Sequence, residues 1–143
     1  MHSFRFEPAD LPPETAAMRQ EVREFLDQNL ADYPAARRAR SWAGYDEEFS
    51  AKVGQAGFLG LTYPEAYGGH GRTAFERYVM LEEMLAAGAP VSAHWIADRQ
   101  SGPVILNHGS EALKADILPR IVRGELTFCI GMSEPDSGSD LFA

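Results

Sequence analysis

Up to Glu125 the apolar residues of this chain recur at helical spacing; over 126–132 they do not. Leu126-Thr127-Phe128-Cys129-Ile130-Gly131-Met132 is short, apolar and partly β-branched or aromatic, which predicts a buried strand. A single strand cannot satisfy its own backbone donors and acceptors. A helical chain that reaches one strand so late needs either another chain for the strand to dock on or more of its own sequence. The second is the expectation here.

The helical part is punctuated by its own start and stop signals. Met18, Val22, Phe25, Leu26 and Leu30 fall three and four apart and predict a helix over 12–30, with Pro13 in its first turn. The stretch 32–44 reads as irregular. A second helix is predicted over 46–56, with Phe49, Val53 and Ala56 inward and Gly57 as its stop. Residues 57–72 hold Pro64, Gly68, Gly69 and Gly71, too many breakers for regular structure. Thr73-Ala74-Phe75-Glu76 spells a capping box that opens a helix over 75–87, ended by Gly88. Pro90 restarts a helix through Asp98, Pro103 begins another reaching His108, and Ser110 caps one more through Ile117. Pro119 is read as resetting that helix, and Gly124 as ending the last helical turn.

Composition narrows the function. The chain has 143 residues, enough for one domain, with 13 Lys and Arg against 21 Asp and Glu, a formal net charge of −8. Such a balance disfavours a phosphate-backbone binder, since the only basic run is Arg37-Arg38-Ala39-Arg40. One cysteine, Cys129, allows no internal disulfide and points to a reducing, cytoplasmic setting; within an apolar strand it reads as a buried, inert thiol. No run of 18 apolar residues is present, so no membrane-spanning helix is expected. The N-terminus has neither a signal-peptide nor a presequence pattern.

Few residues look like catalysts. His2, His70, His94 and His108 lack metal-ligand spacing, and no GxSxG elbow exists. Glu82 and Glu83 are adjacent on a helix and so do not face each other; they read as a solvated face. Tyr67-Gly68-Gly69-His70-Gly71 has no Lys-Ser or Lys-Thr after it and reads as a surface turn rather than a P-loop. Ser133-Glu134-Pro135-Asp136-Ser137-Gly138-Ser139-Asp140 leaves three readings open: a structural turn, an anion cradle of backbone amides, or a calcium loop.

The stretch Gly131-Met132-Ser133-Glu134-Pro135-Asp136-Ser137-Gly138-Ser139-Asp140-Leu141-Phe142-Ala143 resembles the first signature of the flavin-dependent acyl-CoA dehydrogenase family at every required position. Upstream, Tyr63-Pro64-Glu65-Ala66-Tyr67-Gly68-Gly69 resembles the family's Pro-Glu-x-Tyr-Gly-Gly loop. Gly109-Ser110-Glu111, Leu118-Pro119-Arg120 and Gly124-Glu125 add to the likeness, which runs over 13–143.

The resemblance implies a mostly α fold: a helical N-terminal domain over 1–125, then one short strand and a flavin-contacting loop over 126–143 that open a truncated β domain. It implies FAD as cofactor, with Ser133 bonding the flavin ring, Met132 offering backbone to its edge, and Gly138 and Ser139 approaching the pyrophosphate. Ser139 also touches the acyl-CoA substrate. Ile130 stands where many members carry an aromatic against the flavin. The implied reaction is α,β-dehydrogenation of an acyl-CoA thioester, with electrons passing to an electron-transfer flavoprotein and subunits joined as homo- or hetero-oligomers. The base belongs to a C-terminal domain outside these residues, so no catalytic residue and no metal ligand is nominated, and Glu134 is structural. The contrasting expectation is a non-catalytic helical module that docks on a larger dehydrogenase chain.

Overall fold

The structure is a computed structural model, which describes residues 10–140. Helix α1 spans Glu14–Leu30 and buries Met18, Val22, Leu26 and Leu30, the predicted stripe. The stretch expected to be irregular holds a short α2, Ala35–Arg38, and a 3₁₀ turn at Ser41–Ala43. Helix α3, Glu47–Gln55, starts where the Asp46 carboxylate accepts from the Phe49 amide at 3.0 Å. It turns Phe49 and Val53 inward as predicted, whereas Ala56 is exposed just past its end.

The breaker-rich connection that follows is part of the core in its first half, while its second half, with Gly68, His70 and Gly71 exposed, is the surface turn expected at 67–71. It buries Phe58, Leu59, Leu61 and Tyr63, and its 3₁₀ turn at Glu65–Tyr67 folds Gly69 back against Tyr63. Helix α4, Ala74–Ala86, opens with the predicted capping box: Thr73 Oγ1 accepts from the Glu76 amide at 3.1 Å, and Glu76 accepts from the Thr73 amide at 2.8 Å.

After Pro90 the chain forms one continuous helical rod rather than two helices. Helix α5 (Ser92–Ile96) passes through a π-helical turn at Ala97–Ser101 into α6 (Gly102–His108). Helix α7, Glu111–Val122, is capped by Ser110 and runs through Pro119 without a break, which corrects the expected reset there.

Two apolar clusters hold these elements. The larger joins α1, α3, α4 and the residues Phe58, Leu59 and Leu61, with Phe25 stacked edge-on against Phe58 at 5.3 Å between ring centroids. The smaller gathers Tyr63, Ala97, Leu118, Ile121 and Val122, and Leu126 and Phe128 pack onto it. Glu83 corrects the solvated-face reading: it is buried on α4 and bonded by both Arg19 and Arg23 of α1, while Glu82 remains exposed and pairs with Arg19.

The segment 126–132 alternates as a strand would at its start, with Leu126 and Phe128 turned to the helices and Thr127 and Cys129 outward. Among the described residues it has no ladder partner, and its far half is not buried. Ile130 is 48% and Met132 63% exposed, and Cys129 is an exposed free thiol rather than a buried one. Nothing among the described residues supplies the second face that a buried strand requires.

Candidate functional site

Phe128 and Ile130, together with the π turn and α6 of the rod, border an open cleft of about 310 Å³. It is lined by Gln100, Ser101, Val104, Ile105, Phe128 and Ile130. Three residues beyond Ile130 the chain enters the loop that starts at Ser133. Cleft and loop are thus neighbours along the chain.

The loop closes on a tight turn. The Glu134 amide donates to the Ser137 carbonyl at 2.7 Å and the Ser137 amide returns a bond to Glu134 at 3.2 Å, while the Ser137 hydroxyl donates to the Asp140 carbonyl at 2.7 Å. Of the three readings open from spacing, the turn is therefore present. Among the described residues no three His, Cys, Asp or Glu side chains come together as a metal site. Residues 141–143 of the signature, and His2, lie outside the described residues.

Met132, Ser133, Gly138 and Ser139 are all exposed. Gly131 and Gly138 differ from the chain's other glycines in one respect. A Cβ added to either meets no atom within 4 Å, and neither holds a positive φ. At Gly54, Gly69 and Gly124, by contrast, a Cβ would strike backbone of the same chain. The small residue at 138 is therefore not demanded by the fold, and it leaves a bare stretch of amides between two serines. That donor set of small hydroxyls and open amides suits the ring edge and pyrophosphate of a flavin nucleotide.

Behind the cleft lies a buried polar cluster that the spacing of residues did not reveal. The Asp98 carboxylate, buried in the π turn, accepts from the Gly60 amide at 2.7 Å. Burial pushes its pKa upward, opposed by that amide and by Arg77 and Arg99. The hydroxyl of Tyr63 donates to the Asp98 carbonyl at 2.5 Å. His94 is likewise buried, its Nδ1 2.8 Å from Ser50 Oγ, and burial lowers its pKa to about 4. Gln100, Ser101 and Val104 were not singled out as site residues in the sequence, where Pro103 beside them was read as the start of a new helix.

Residues 12–125 match the family model described as acyl-CoA dehydrogenase, N-terminal domain. The acyl-CoA dehydrogenase FadE26 of Mycobacterium tuberculosis is 34% identical over 136 residues, which cover 90% of this chain and 33% of that protein. Among solved structures, the ChsE4-ChsE5 complex of Mycobacterium tuberculosis superposes with a TM-score of 0.78 at 34% identity, covering 94% of this chain and 34% of that one. A glutaryl-CoA dehydrogenase of Mycobacterium smegmatis in complex with FADH2 gives 0.72 at 28% identity, covering 92% and 33%. This chain therefore spans about a third of the length of the relatives it matches. No helix among the described residues is long and apolar enough to cross a membrane. Helical architecture, matched domain and relatives agree, and the chain belongs to the acyl-CoA dehydrogenase family.

Proposed function

We propose that this chain is the N-terminal, cofactor-facing portion of an FAD-dependent acyl-CoA dehydrogenase that desaturates an acyl thioester between its α and β carbons. The observation that carries the reading is the bare glycine at 138: the chain's own packing does not require it, and it opens the amides of 138–139 to something outside the described fold. The relative crystallised with FADH2 supports a flavin as that group.

In this reading residues 1–125 form the helical domain and 126–143 begin the β domain, whose further strands would pair with 126–132. FAD, when bound, supplies the hydride acceptor. Ser133 would donate its hydroxyl to the flavin ring system, Met132 would present its backbone to the ring edge, and Ile130 would pack beside it. Gly138 and Ser139 would give amides to the pyrophosphate, and Ser139 would also meet the acyl-CoA. The apolar lining of Val104, Ile105, Phe128 and Ile130 would exclude water from the acyl group. The proton-abstracting carboxylate would come from the other two thirds of the protein. Reoxidation would fall to an electron-transfer flavoprotein, and the subunits would assemble as homo- or hetero-oligomers. The exposed thiol of Cys129 fits a reducing cytoplasm.

One observation favours a second reading, in which the chain is a helical module that docks in trans on a larger dehydrogenase: Ile130 and Met132 are exposed and, among the described residues, have no ladder partner. Fusing the chain to the missing two thirds of a relative such as FadE26 separates the two. The fused protein is expected to be yellow and to bleach on addition of an acyl-CoA, and Ser133→Ala is expected to shift its flavin spectrum or potential. A colourless fusion, together with capture of an intact dehydrogenase by the unfused chain, would favour the second reading instead.

A further inference from the structure

In the π turn the Gly102 amide bonds the carbonyl of Ala97, five residues back, instead of that of Asp98. The next amide that could serve Asp98 in either an α or a π pattern belongs to position 102 or 103. The first is already committed, and Pro103 has none. A buried carbonyl with no donor is costly. The Tyr63 hydroxyl fills the vacancy at 2.5 Å from the Asp98 carbonyl, reaching in from a segment 35 residues away. Room for it exists because residue 102 is glycine: a Cβ there would collide with the Tyr63 ring and hydroxyl. On the same turn the Asp98 carboxylate is tied to the Gly60 amide, so both ends of the 60–63 segment hold one residue.

We propose that Tyr63 is a positioning residue whose hydroxyl substitutes for the amide that Pro103 lacks, holding the π turn and so setting which side chains line the apolar cleft. The register matters because one residue of helix corresponds to about 100° of rotation. Were the turn to close into an α-helix, Gln100 and Ser101 would swing relative to Val104 and Ile105, and the cleft would present a different wall to its occupant. The role assigned to Tyr63 in substrate choice rests on the reading of that cleft as the acyl site; its role in shaping the cleft does not.

Four proteins test this: the full chain, Tyr63→Phe, Pro103→Ala, and the double variant. Hydrogen exchange at the Ser101 and Gly102 amides reads the π bonds. A nitroxide on Cys129, the sole cysteine, reads the distance to the Gln100 side-chain amide across the cleft. Tyr63→Phe is expected to speed exchange at both amides by about tenfold or more and to change the relaxation of Gln100. Adding Pro103→Ala, which restores a donor on the helix itself, is expected to slow that exchange again. Tyr63→Phe without effect, or a double variant no better protected than Tyr63→Phe, would overturn the proposal, since a ring that merely fills space would not be rescued by a new amide. In the fused enzyme, Tyr63→Phe is expected to change the ratio of KM for long over short acyl-CoA while kcat for the short substrate holds. An unchanged ratio would overturn the role in substrate choice, whereas the role in shaping the cleft is decided by the exchange result. A fusion inactive even with Tyr63 in place would count against the proposed function and leave the exchange result intact.

Discussion

His94 shows how a single buried side chain sets a pH dependence. Burial lowers its pKa from 6.5 to about 4, so between those values the folded chain binds fewer protons than the unfolded one. The contribution of neutral His94 is complete above pH 6.5 and is lost as the pH falls toward 4. Glu83, bonded chiefly by Arg23, and Glu76, bonded by the Thr73 amide, are shifted down from 4.5 and act only at lower pH. The raised pKa of buried Asp98 acts with the opposite sign over the same range, so the His94 contribution is read as a difference: between pH 7 and pH 5 the wild type is expected to lose about 2 kcal/mol more stability to urea than His94→Gln. A His94→Gln chain with the same pH dependence as the wild type would contradict the assignment. None of this was legible in the sequence, where His94 stood out only as lacking ligand spacing. Its ring nitrogen is met by Ser50, 44 residues away.

Elements were legible where the deciding interactions are local. Capping at Asp46, Thr73 and Ser110 acts over three residues, and the stripe of α1 repeats every three to four, so both can be read along the chain. The rod from α5 to α6 was not, because Pro103 suggests a helix start wherever its neighbours cannot be seen. The donor that lets the rod continue sits on Tyr63, and Arg23 and Glu83, 60 residues apart, join α1 to α4 by the same kind of distant pairing. The segment 126–132 was legible as a short apolar run and expected to be a buried strand, but among the described residues it is not a strand and has no ladder partner. Ile130 and Met132 remain open, with Val104 60% exposed on the nearby helix. Replacing both Ile130 and Met132 by Lys is expected to reduce self-association of the chain, as seen by static light scattering. A parent chain that is already monomeric at high concentration would contradict this.

At the scale of the molecule, the helical domain stands on two apolar cores, and the loop at 133–139 lies exposed outside both of them. The signature motif made that loop visible in the sequence. The loop can offer two or three hydrogen bonds of about 0.5–1.5 kcal/mol each. Micromolar binding needs roughly −8 kcal/mol. The chain alone is therefore expected to bind FAD weakly in calorimetry and to oxidise no acyl-CoA.

The claim that this loop faces the cofactor is tested most directly at Gly138, where a side chain meets nothing in the chain itself. Gly138→Val should leave the thermal unfolding of the unfused chain unchanged. The decisive measurement is flavin occupancy, read from the ratio of absorbance near 450 nm to that near 280 nm, in the fused protein with and without this substitution. Loss of most bound FAD in the Val variant is the expected result. Full occupancy with an unaltered spectrum would contradict it and place the loop away from the flavin.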